Sequence, residues 1–249
     1  MILGVNILQY YPVKPDFADY ETPYECLIFE TNNTPEGVII SNDSSTSATA
    51  TVYNIDDEEI GAITGLTVVI NEDKKQITIP SFIFTEKFCG EYYIKIIHGD
   101  NTFYSELFTW LDDVSSYAKI EVETGKTTLV NKYDIDTLSL SGYIDIKGIE
   151  LDTEIVEEGV DTNFGSLATS ATSNIDQSFE IVCNYSTFIF LANLRIFEIN
   201  GSVKITLPTN KEINLYNISI EAGEASLFGQ RVICTVKYRE ELFLSNNNE

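Results

Sequence analysis

Alternation of apolar and polar residues with a period of two runs through this chain from end to end, in stretches of five to ten residues, and it restricts the fold more than any other feature. Successive side chains of a strand point to opposite faces, so each stretch has one dry face and one wet one. Helical periodicity is almost absent. In LTVVINEDKKQITIP, Leu66, Val68 and Ile70 share a face, Asn71 to Lys74 turn the chain, and Ile77 and Ile79 return, which predicts a hairpin. GEYYIKIIHGDNTFYSELFTWL predicts a second, turning at His98 to Asn101, with aromatic arms suited to a pleated surface. YECLIFE, EGVIIS and SATATVYNI add three more strands. About seven short strands between residues 24 and 112 predict an immunoglobulin-like sandwich, without the cysteine and tryptophan arrangement of antibody domains.

The pattern breaks at LDDVSS, which predicts a boundary near residue 113. Beyond it, KIEVE sets Ile120 and Val122 against Lys119, Glu121 and Glu123, and LSLSGYIDIKG sets Leu138, Leu140, Ile144 and Ile146 against polar residues. The expected fold class is therefore all-β: an arm over residues 1–23, a first sandwich over 24–113, a second β sandwich or barrel over 114–245, and a frayed tail over 246–249. One short helix is expected in STFIFLANLRIFEI, where Phe190, Leu194 and Phe197 fall on one stripe, although a fully apolar strand fits the same residues. The run from Glu150 to Asp161 reads as an acidic strand or edge, and the small polar stretch TNFGSLATSATSN as a loop that orders against a neighbour.

Charge limits the partners. With 15 Lys and Arg against 39 Asp and Glu, the formal net charge of the 249 residues is -24. Residues 1–113 hold 5 basic and 19 acidic residues and the remainder hold 10 and 20, so the acidity is no mere tail. Such a chain repels phosphate backbones and anionic membranes. With 43% hydrophobic and 12% aromatic residues, it nonetheless has enough apolar side chains to fold. Its start does not read as a secretory signal, and no stretch approaches the roughly 20 apolar residues of a spanning helix. Synthesis in the cytoplasm, with no membrane partner, is the expectation.

Motifs for chemistry are scarce. The only histidine, His98, falls in a predicted turn, so it is expected at the surface, and histidine triads or multi-histidine metal sites have no other residue to use. No phosphate-binding loop or nucleophile elbow occurs. The four cysteines, Cys26, Cys89, Cys183 and Cys234, form no C-x-x-C pair; Cys26, Cys89 and Cys234 lie in apolar runs and are expected to be buried free thiols. Asp56 to Glu59 and the pair Asp112 and Asp113 could in principle bind calcium but do not follow EF-hand spacing. No catalytic residue, metal site or cofactor is expected. Tyr10, Tyr11, Phe17, Tyr20 and Tyr24 crowd the proline-punctuated arm, either docking it on a neighbouring surface or packing locally.

GEYYIKIIHGDNTFYSELFTWLDDVSSYAKIEVE resembles a segment of virion structural proteins of tailed phages infecting Bacteroidetes, the crAss-like group among them. The ending, with an N-G turn, two alternating strands and VICTVKYRE, is similar to theirs as well, and in pattern the resemblance covers residues 85–245. It implies a tail or neck subunit in the virion, assembled with copies of itself into a ring, for which twelve-fold symmetry is plausible, in contact with a portal and other tail proteins. DNA would pass through the lumen as non-specific cargo. On this reading the candidate lumen-facing acids are Asp56, Asp57, Glu58, Glu59, Glu150, Asp152, Glu154, Glu157, Glu158 and Asp161. Two other readings of the same residues are a carbohydrate- or receptor-binding β-sandwich using exposed Tyr and Trp, and a glycosidase built on two carboxylates.

Overall fold

The computed structural model describes residues 6–16, 27–31, 33–71, 74–86, 89–124, 127–129, 133–135, 138–144, 146–156, 173–184, 190–194, 201–225 and 231–242. These residues form strands throughout, with one short helical turn at 190–194, so the chain is all-β.

Both predicted hairpins of the first half form. Strands β7 (Thr67–Asn71) and β8 (Lys74–Ile79) pair in unbroken register, and β4 (Gly37–Ser41) joins the far side of β8, giving a sheet in the order β4-β8-β7. Val38, Ile39, Ile77 and Ile79 of this sheet are buried. The opposing sheet is built on β10 (Gly90–His98), which pairs with β5 (Thr49–Asn54), itself paired with β6 (Glu59–Ile63). The other side of β10 is divided between β11 (Asn101–Ser105) and β12 (Phe108–Leu111). Strand β1 (Tyr10–Tyr11) adds antiparallel to β11, and β2 (Leu27–Glu30) adds parallel to β12. A two-residue pairing of β3 (Asn33–Thr34) with β9 (Phe82–Ile83) closes one end.

Trp110 anchors this core. It is fully buried, its indole N–H donates to the Asn33 carbonyl at 2.7 Å, and the rings of Tyr92, Phe108 and Phe84 lie 4.6, 5.4 and 5.8 Å away between centroids. Burying the ring satisfies both its apolar body and its one polar atom. Ile70, on the same strand parity as Val68, departs from expectation and is 64% exposed. Its neighbour Val69, of opposite parity, is 54% exposed, so the end of β7 overhangs the facing sheet.

In the second half, β13 (Ala118–Thr124) lies between β16 (Leu138–Ile144) and β19 (Gly201–Thr206), and β20 (Glu212–Asn214) follows β19. This group continues the first half's large sheet through one residue pair, Tyr143 of β16 with Ile28 of β2. A separate four-stranded sheet runs in the order β17 (Ile146–Val156), β18 (Ser173–Asn184), β22 (Arg231–Leu242), β21 (Tyr216–Ala225). The chain passes between these two sheets three times, from β16 to β17, from β18 to β19 and from β20 to β21, as it does in packed sheets that share corners. A small hairpin, β14 (Thr127–Leu129) with β15 (Tyr133–Ile135), falls between β13 and β16 in the chain.

Ile120, Val122, Leu140, Val203 and Ile205 belong to the same buried cluster as Phe179, Ile181, Val236 and Tyr238 of the four-stranded sheet. Phe190, Leu191 and Leu194 of the helical turn are buried in that cluster too. The expected helix is thus present around Phe190 and Leu194, while Phe197 lies outside the described residues.

Candidate functional site

The acidic turn between β5 and β6 is built by its own sequence. Asp57 N–H bonds to the Asn54 carbonyl at 3.1 Å and Asn54 N–H to the Glu58 carbonyl at 3.0 Å, with Asp57 at φ 66°. This is a type I turn closed by a left-handed residue, a common three-residue hairpin loop. The Asn54 side chain locks it, accepting from Glu58 N–H at 2.8 Å and donating to the Glu58 carboxylate at 2.9 Å. Asp56, Asp57, Glu58 and Glu59 are all exposed, so four carboxylates are displayed on an ordered support.

One of them also ties down the arm. Asp57 forms an ion pair with Lys14 and accepts from the Tyr93 hydroxyl at 2.6 Å. Those bonds, from Lys14 first and Tyr93 second, hold its carboxyl below the usual range. Burial first, then the Asp57 carboxylate, pushes the Tyr93 phenol up. Lys14 lies 4.8 Å over the Tyr93 ring, Tyr53 stacks on Tyr93 at 5.5 Å, and Lys95 sits 5.8 and 5.9 Å from the rings of Tyr53 and Tyr104. Each contact is an internal cation–π or stacking pair.

Residues 6–11 of the arm touch both halves of the chain. Asn6 acts as a substitute strand: its amide nitrogen donates to the Val38 carbonyl at 2.8 Å and its oxygen accepts from Val38 N–H at 2.5 Å. Ile7 and Leu8 are buried, and a Cβ on Gly142 of β16 would come within 2.9 Å of Ile7 Cδ1. Ile7 therefore reaches the second half of the chain, and Gly142 is the residue small enough to let it in. Tyr10 is 5% exposed and packs in the core of its own chain; Tyr11 is half-buried in β1. Phe17, Tyr20 and Tyr24 lie outside the described residues.

Beside Tyr10 sits a carboxylate that the sequence does not flag. Glu106 is 1% exposed; Gln9 N–H donates to its Oε1 at 3.3 Å, and its own N–H donates to the Gln9 carbonyl at 2.9 Å. Its Oε2 and the Tyr10 hydroxyl are buried without a hydrogen-bond partner among the described residues. Burial raises the Glu106 carboxyl well above the usual range. Alternation predicts that only every second residue here is buried, yet all of Ser105 to Trp110 are. Both faces are covered, partly by the arm, and no local pattern announces that.

His98 corrects the sequence reading. It is fully buried (0% exposed), with Nε2 2.9 Å from the Ser45 carbonyl and Nδ1 2.9 Å from Ser41 Oγ. A carbonyl only accepts, so Nε2 carries a hydrogen and donates to it, while Nδ1 shares its hydrogen bond with the Ser41 hydroxyl. The predicted turn does form, with Gly99 at φ 58°, but the preceding residue points inward because the Ser41 to Ser45 loop folds over it.

The Ser41–His98 pair is part of the packing between this loop and the hairpin. Ser41 is buried, and its oxygen also accepts from Asp43 N–H at 3.2 Å and from the Asn101 amide at 3.4 Å. Asp43, the only nearby acid in the loop, turns to the backbone N–H groups of Ser45 at 2.7 Å and Asp100 at 3.1 Å. Those two bonds hold its carboxyl low. The group is a clasp between a loop and a hairpin. Replacing His98 by Ala is expected to leave the Ser45 carbonyl unpaired and to cost about 1–3 kcal/mol, read from the denaturation midpoint.

Cys89 is a second correction: it is exposed, because it precedes β10 instead of lying within it. Cys26 and the side chains of Cys183 and Cys234 lie outside the described residues. Residues 150–156 of the acidic run lie on an edge: β17 is terminal in its sheet, and its backbone carries Glu150, Asp152 and Glu154, with a register break between Glu150 and Glu154. Glu154 is in register with Asp176. Glu157, Glu158 and Asp161 lie outside the described residues.

Asp112 accepts from the Thr31 hydroxyl at 2.9 Å, and Asp113 from Ser115 N–H at 2.9 Å. Among the described residues no group of three or more His, Cys, Asp or Glu is gathered as a metal cage would require, and no helix is long and apolar enough to cross a membrane. Family models, curated proteins and solved structures give no match to this chain.

Proposed function

We propose that the chain is a non-enzymatic structural subunit of a phage virion, repeated as a ring around the DNA channel of a tail or neck and acting through assembly. The observation that carries this reading is the fixed display of acid: a hydrogen-bonded turn holds Asp56 to Glu59 in solvent on a chain of net charge -24. Acids on a rigid wall repel phosphates over about 8 Å at physiological salt, so DNA slides past without sticking. The order β4-β8-β7 against β6-β5-β10, with β11 and β12 beyond and β2 parallel to β12, supports an immunoglobulin-type first sandwich, a rigid module for such a wall.

The second reading, a glycan- or receptor-binding sandwich, draws on the half-buried Tyr53 and Tyr104 beside Lys95. It is the weaker one, because Trp110 is fully buried and the tyrosine rings are engaged with one another and with lysines. Quantitative mass spectrometry of gradient-purified particles of the phage encoding this chain tests the proposal. Several copies per portal are expected; particles lacking the chain would overturn it.

A further inference from the structure

We infer that strand β7 is a self-pairing edge, through which two copies of this chain join their β4-β8-β7 sheets into one continuous six-stranded sheet. The inference goes beyond the ring reading and does not depend on it. A bare edge offers unpaired N–H and C=O groups to any other strand, and proteins guard such edges with charge, bulges, shortness or a cover.

Among the described residues the other terminal strands are guarded in these ways. Strand β20 is three residues long and its Glu212 lies 3.6 Å from Lys204. Strand β6 opens on Glu59 and has a register break, β17 has acids and a break, and β21 carries Glu221 and Glu224 with two breaks. Strand β4 has no charge, but the Asn6 amide takes both polar groups of Val38. The remaining terminal strands, β1, β3, β9, β14 and β15, are two or three residues long.

Among the described residues strand β7 has none of these devices. Thr67–Asn71 contains no charge and no proline, pairs with β8 without a break, and exposes Val69 and Ile70. Charge decides what it meets. In a chain of net charge -24, contact between two copies is opposed almost everywhere by like charge. An antiparallel pairing centred on Val69 avoids this, setting Thr67 opposite Asn71, Val68 opposite Ile70, and Val69 opposite its own copy. Every pair in this register, from Thr67 with Asn71 to Val69 with its own copy, joins two uncharged residues, so no acid meets an acid within the strand. A two-fold axis of this kind makes a closed, self-complementary contact.

Sedimentation equilibrium of the full chain in a Cys89→Ser background is the test. The chain is expected to form a concentration-dependent dimer; Val69→Lys is expected to abolish it with an unchanged thermal midpoint, and Val69→Thr to retain it. Val69→Cys is expected to give a disulfide-linked dimer on mild oxidation, whereas Ile55→Cys, exposed elsewhere, gives none. This last readout stands even if the lysine variant fails to fold. A chain that is monomeric at every concentration, a dimer that survives Val69→Lys, or equal cross-linking at positions 55 and 69 would overturn the inference. A ring built on other contacts keeps its copy number in Val69→Lys, so the two proposals can fail separately.

Discussion

Trp110→Ala is expected to destabilise the protein by about 3–5 kcal/mol, the range for removing a large aromatic side chain from a packed core. The ring is fully buried among Tyr92, Phe108 and Phe84, so its loss leaves a cavity that three rigid neighbours cannot easily fill. The Asn33 carbonyl also loses its donor, which lay 2.7 Å away. Domains of this kind have about 5–15 kcal/mol in total, so the variant should sit close to unfolding. Urea denaturation checks this: the midpoint should fall sharply with the slope little changed. A shift of less than about 1 kcal/mol, the ordinary effect of a mild substitution, would mean that Trp110 is not the anchor of the core.

Glu106 is expected to make stability depend on pH with a sign opposite to that of most carboxylates. Its carboxyl is raised by burial in the folded chain, so folding favours the protonated form. The stabilisation is therefore fully present below the ordinary carboxyl range and is lost as pH rises towards the raised folded value. Within that window a single group changes stability by about 1.4 kcal/mol per pH unit. The Tyr10 phenol faces Glu106, and burial first, then the Glu106 carboxylate, pushes that phenol up.

Glu106→Gln keeps the shape and removes the titration. Its stability advantage over the parent should grow with pH across this window, and parallel pH profiles for the two would contradict the account. Because the arm packs directly on Glu106, amide exchange at residues 6–11 should accelerate with pH in the parent more than in Glu106→Gln. The arm is thereby the first segment to loosen.

Much of this architecture was legible in the sequence because alternation is a local signal. Leu66 to Ile79 and Gly90 to Leu111 could be read as hairpins, and KIEVE as a half-buried strand, from their own residues alone. The short helical turn could be read from the spacing of Phe190 and Leu194. What could not be read arises from contacts between distant segments. His98 occupies an ordinary turn position, and only the Ser41–Ser45 loop, more than fifty residues earlier, makes it a buried clasp. Glu106 is buried because the arm returns across nearly a hundred residues to cover it.

The candidate site was legible in part for the same reason. A run of four acids between two strands is a turn, and a turn is exposed, so Asp56 to Glu59 could be placed in solvent. That Asp57 would bind Lys14 and Tyr93, and that Asn6 would cap a sheet edge, depended on tertiary approach. A lone Asn or Lys in a proline-rich arm carries no periodicity that would announce it.

Electron cryo-microscopy of the intact particle is the most direct test of the proposed channel wall. The account predicts copies of this β fold repeated around the tail axis, with the Asn54–Glu58 turn facing the DNA and residues 6–11 of the arm touching both halves of the chain. Density that places the chain outside the tail and neck, or a ring in which that turn is buried against protein and the lumen is lined by basic residues, would contradict it.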